Sequence, residues 1–116
     1  MNIKMLDCEI ASRFTLPALR MAVSIELYKL SMGQDQIADI LGVRQAAVSD
    51  YLNNKVSLDI KTIAKDILSS KIAEAMAKKI FAAPSRDYAI SIIDMAASDD
   101  AVINIVRNHA RKAGKI

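Results

Sequence analysis

The chain has 116 residues, 53% of them hydrophobic and only 4% aromatic, with a formal net charge of +3. That length suits one compact domain, and an excess of Ala, Ile, Leu and Lys over three glycines and two prolines favours an all-α fold. A single cysteine excludes an intramolecular disulfide, and no apolar run approaches the roughly 20 residues that span a bilayer. Neither strand alternation, an internal repeat nor a signal peptide is evident, so a cytoplasmic protein is expected.

Ile3, Leu6, Ile10 and Phe14 recur at helical spacing and predict a short first helix, with Cys8 as a small buried hydrophobe. Thr15-Leu16-Pro17 should break or kink the chain, Thr15 capping the next helix. That helix should run to about Met32 and stop at Gly33. It carries two apolar stripes: Leu16, Leu19, Val23, Leu27 and Leu30 on one side, Met21, Ile25, Tyr28 and Met32 on almost the opposite one. Arg20, Ser24 and Ser31 separate them on one flank, Glu26 and Lys29 on the other. Such a helix needs partners on two sides.

Residues 34–53, QDQIADILGVRQAAVSDYLN, read as a helix-turn-helix. Ile37, Ala38 and Leu41 fit the inner face of a first helix, and Val48, Tyr51 and Leu52 that of a second. Gly42 falls where the first must stop in a left-handed conformation, and Val43 plugs the corner. Ala38 is small where the two helices cross.

The arrangement resembles the lambda-repressor-like helix-turn-helix of phage repressors, in which a glutamine opens each of the two helices. Those positions here are Gln34 and Gln45. The resemblance implies that Gln34 anchors a phosphate and braces Gln45, which reads an adenine edge. A longer stretch, from Cys8 to about Lys55, is similar to a family of small archaeal predicted transcriptional regulators. The likeness is carried by Cys8-Glu9, by LPALR at 16–20 and above all by LGVRQAAVSDYL at 41–52. Two positions depart from it. Arg44 replaces a serine or threonine N-cap. Asp50 stands on the exposed face where relatives carry arginine or another polar residue. Some relatives hold a cysteine pair near the C-terminus; this chain has none, and no structural zinc or other cofactor is expected.

Asn53-Asn54-Lys55 should form a polar turn after the second helix. From Leu58 to Phe81 the chain is helical in character, with Asp59 near the start and a stripe that either drifts around or is interrupted near Ser69-Ser70. Ala83-Pro84-Ser85 is a break with a cap. The next helix should turn Tyr88, Ile92, Met95 and Ala96 inward. Ser98-Asp99-Asp100 opens the last helix, whose stripe is Val102, Ile105, Val106 and Ala110, with His109 at its edge. The organisation expected is an N-terminal and motif region over 1–57 and a C-terminal helical region over 58–116, packed as one unit.

From 16 to 58 the bases Arg20, Lys29, Arg44 and Lys55 are matched by Glu26, Asp35, Asp39 and Asp50, so the motif region is neutral. The positive excess lies in the C-terminal half, which ends with Arg107, Arg111, Lys112 and Lys115. With one histidine, one cysteine, no glycine-rich phosphate loop and no metal-ligand spacing, nothing assembles a reaction. The expected function is a homodimeric, sequence-specific double-stranded DNA-binding regulator inserting helix 44–53 into the major groove, with neither membrane nor identifiable small-molecule effector. Gln45, Ala46, Ser49 and Asp50 should face base edges. Gln34, Gln36, Arg44, Asn53, Asn54 and Lys55 should hold the phosphate backbone, and the C-terminal helices should dimerise. The neutral motif and Asp50 leave an alternative: a protein-interaction module, such as an antitoxin or adaptor, that keeps the motif as scaffold.

Overall fold

From Asp7 to Lys29 the backbone is one unbroken helical run of α1 (Asp7–Ile10), a π-helical segment (Ala11–Thr15) and α2 (Leu16–Lys29). This is a computed structural model describing residues 7–116, so Ile3 and Leu6 of the expected first helix lie outside the described residues. Thr15 and Pro17 do not break the chain. Thr15 is helical (φ −64°, ψ −55°) and makes no side-chain cap. Instead the Leu16 amide donates to the Ala11 carbonyl, five residues back. The wider π turn makes room for a ring that would otherwise press on the preceding turn, and the helix absorbs its proline. Cys8 is exposed rather than buried. It lies about 200° around the run from buried Ile10, on the solvent side.

The run ends earlier than Gly33. Ser31 takes the left-handed conformation at φ 72°, and the Met32 and Ser31 amides donate to the Leu27 and Tyr28 carbonyls. These are the two bonds of a Schellman stop, and the residue beyond it, Met32, is buried in the core. Burying Met32 decides the boundary, and Gly33 serves as N-cap of the next helix.

Beyond that stop come α3 (Gln34–Leu41), α4 (Gln45–Leu52), α5 (Leu58–Ser69), α6 (Ile72–Ala82), α7 (Arg86–Ala97) and α8 (Asp100–Lys112). With the first run counted once, the described residues form an all-α globule of seven helices and no strand. None is long and apolar enough to cross a membrane. Three starts carry side-chain caps: Ser57 accepts from the Ile60 amide, Ser85 from Tyr88 and Asp99 from Ala101. Between α5 and α6 the chain is interrupted, with Lys71 left-handed at φ 69°.

At the centre lies α2, packed on α4, α5, α6 and α7. Leu19, Val23 and Leu27 of one stripe and Met21 of the other are buried, while Tyr28 points out, 51% exposed. Ser24, expected on a polar flank, is fully buried and its hydroxyl has no hydrogen-bond partner. Enclosure of α2 reaches its Ser24 side, while the Glu26–Lys29 flank stays at the surface. In α7 Ala89 and Ile93 are buried and Ile92 and Ala96 half-buried against the core, whereas Tyr88 and Met95 face out, Met95 being 68% exposed. Fully buried Ala89 permits close approach to α2 and α3, and seating it turns the Tyr88–Met95 line outward by one residue, about 100°. Along α8, Val102, Val106 and Ala110 face the core, and His109 Nε2 lies 2.7 Å from Asp59 Oδ1, tying α8 to α5.

Candidate nucleic-acid interface

The turn between α3 and α4 is built by its own sequence. Gly42 is left-handed at φ 68°, the Gly42 amide donates to the Asp39 carbonyl and the Val43 amide to Ala38. This second Schellman stop sends half-buried Val43 back onto the core. A Cβ on Gly42 would meet Arg86 Cδ and Ile90 Cδ1 at ordinary contact distances of 3.7 and 3.8 Å, so backbone conformation rather than space calls for glycine. Ile37, Ala38 and Leu41 are buried, as is Val48; Tyr51 and Leu52 are half-buried against them.

With Val48 inward, the outermost line of α4 falls between Ala46 and Asp50 at 100° per residue. Both are exposed. Gln45, exposed, and Ser49, half-buried, lie on one flank of that line. Arg44 precedes the helix in extended conformation without a side-chain cap. Gln34 and Gln36 are exposed in the first turn of α3. The stop of α4 is again a Schellman motif: Asn54 is left-handed at φ 58°, and the Lys55 amide donates to the Asp50 carbonyl at 2.8 Å. Asn53 turns back on the helix, its amide nitrogen donating to the Ser49 carbonyl at 2.9 Å and the Ser49 hydroxyl at 3.4 Å. Two residues given separate tasks by the sequence, Ser49 and Asn53, therefore hold each other.

The charges sort unevenly. Asp39 is engaged from outside the motif: Arg86 Nε donates to its carbonyl and Arg86 Nη2 to its carboxylate, each at 2.8 Å. A guanidinium thus sits at the C-terminal end of α3, where carbonyl dipoles favour a cation. Lys29 pairs with Glu26 at 3.3 Å. Asp50 stays in the middle of the exposed face. Half-buried Tyr51 keeps its proton above the ordinary phenol range because burial disfavours the phenolate; nearby Arg20 works against this and Asp50 with it.

Sequence reasoning missed Arg86. A signal was present, since a cation in the first turn of a helix opposes the dipole and points to employment elsewhere. No protein-family model, curated protein or solved structure matches the chain.

Proposed function

We propose that the chain is a sequence-specific double-stranded DNA-binding transcriptional regulator acting as a homodimer, with α4 in the major groove. The observation that carries this reading is an asymmetry of α4: its inner face is fastened to α2 and α3, while Ala46 and Asp50 on its outer line and Gln45 on its flank are exposed. A short helix presented in this way by a glycine-stopped partner fits the width of the groove. Gln45 can address an adenine edge and Ala46 a thymine methyl; Asp50 can accept from a cytosine amino group. Ser49 lies beside them. Gln34, Gln36, Arg44, Asn54 and Lys55 would position phosphates, and Asn53 would act through Ser49. Two copies about a two-fold axis would meet successive major grooves about 34 Å apart, and promoter occlusion is the simplest consequence. No chemistry of bond making is assigned.

Selection from a random duplex library, followed by a salt titration on the selected sequence, tests this. Enrichment of a palindrome, with affinity falling steeply in salt, is the expected result. A folded protein that enriches nothing at low salt would overturn it. That outcome would favour a helical interaction module, a reading supported by the carboxylate of Asp50 at the centre of the exposed face.

A further inference from the structure

A pocket of about 200 Å³ opens between the first helical run and α8. Its walls include Ile10 and Val106, both nearly fully buried, and half-buried Ile103. Thr15, only 5% exposed, closes the π segment and also lines this space. At the rim, Arg107 Nη2 and Asp7 Oδ2 face each other at 3.6 Å, with side chains 51% and 84% exposed.

From this juxtaposition we propose that the pocket binds a small aliphatic monocarboxylate, its chain among Ile10, Ile103 and Val106 and its carboxylate on Arg107. Each part follows from chemistry. An apolar cavity near 150 Å³ suffices for benzene, so this volume suits an acid of about four to eight carbons. A guanidinium offers two parallel donors in the geometry a carboxylate accepts. The existing pair with Asp7 is longer than the 2.7–2.9 Å of a charge-assisted hydrogen bond, and exposed pairs of this kind contribute little. Asp7, the more exposed partner, can swing into water and leave Arg107 to the ligand. Thr15 supplies a hydroxyl-bearing side chain to a wall made otherwise of Ile10, Ala11, Ala97, Ile103 and Val106. The π segment that carries it is an irregularity of the kind that collects at binding sites. This site is remote in role from α4, and the proposal does not depend on DNA binding.

The test is titration of the full chain with sodium hexanoate, followed by calorimetry and amide chemical shifts, with hexanol and acetate as comparison ligands. Saturable hexanoate binding, with shifts centred on residues 10–15 and 103–107, is expected. Arg107→Gln should weaken it by about tenfold, the loss of one charge-assisted clamp. Thr15→Val, which preserves shape, should weaken it severalfold, and Arg111→Gln, on the same helix but outside the pocket, should leave it unchanged. Thermal unfolding of each variant separates lost binding from lost folding. Absence of saturation up to about 10 mM hexanoate would overturn the proposal. So would equal binding of hexanol, or an equal loss in Arg111→Gln.

Discussion

At the scale of single residues, α4 exposes two side chains with opposite expected effects on a duplex. On the proposed reading Gln45 makes a bidentate base contact, so on a selected duplex Gln45→Ala should lower affinity by roughly 1–3 kcal/mol. Asp50 brings a negative charge toward phosphates, and removing a unit repulsion across water is worth about 1 kcal/mol at contact. Asp50→Asn should therefore raise affinity for unselected duplex about fivefold at low salt, with the gain fading as salt rises. Fluorescence anisotropy of both variants checks the pair; a loss of unselected binding in Asp50→Asn would mean that the carboxylate serves the interface. Two further residues speak to stability. The Ser24 hydroxyl is buried without a partner. Ser24→Ala should stabilise the fold by about 1 kcal/mol, read as a rise of roughly 4 °C in Tm. Tyr51 holds its proton more tightly when folded, mainly through burial. Its contribution is complete below the ordinary phenol value near 10 and is lost as pH climbs through the raised folded value. Ultraviolet phenolate titration should show a component ionising above the ordinary phenol value, and Tyr51→Phe should delete it.

At the scale of elements, what could be read from the sequence divides by how local its cause is. Ser85 and Asp99 hydrogen-bond amides two or three residues away, and the starts of α7 and α8 were legible from them. The turn at Gly42 was legible for the same reason, since a left-handed glycine between two apolar patterns has few alternatives. The stop at Ser31 was not legible. Its left-handed conformation opposes residue preference and accompanies the burial of Met32 in the core cluster. The face of α7 was misread similarly: Tyr88 and Met95 have the larger apolar surface, yet the fit of Ala89 beside α2 and α3 sets the rotation. Lys71 gives a direct measure of such tertiary override. It joins α5 to α6 at φ 69°. A non-glycine residue there costs on the order of 1 kcal/mol or more, and its ion pair to Glu74 is long, at 3.9 Å, and exposed. Lys71→Gly should accordingly raise stability by about 1 kcal/mol in urea unfolding with an unchanged m-value. A destabilised variant would show that the exposed pair outweighs the backbone strain.

At the scale of the whole molecule, the candidate interface depends on helices outside it. Residues 16–52 contain α2, α3 and α4, but α2 buries its remaining faces against α5, α6 and α7. Leu19, Val23 and Ile37 belong to the same buried cluster as Ile63, Ile67, Ile80 and Ile93. Arg86 adds a polar tie, clamping the end of α3 from the first turn of α7. Were residues 1–57 a self-sufficient reading head, separation from 58–116 would leave them folded. The packing argues otherwise, since uncovering several large aliphatic side chains removes about 1.5–3 kcal/mol each, against a total stability of 5–15 kcal/mol for a typical domain. A 1–57 fragment should therefore show neither a cooperative thermal transition nor dispersed amide resonances, whereas the full chain shows both. Mixing it with a 58–116 fragment should restore the transition, because the missing surface returns. A fragment that folds alone would make the C-terminal helices an accessory rather than half of the core. The same dependence gives Arg86→Ala a defined consequence: loosening the end of α3 and the turn at Gly42, with amide exchange rising at Gly42 and Val43 before it rises in α5 or α8.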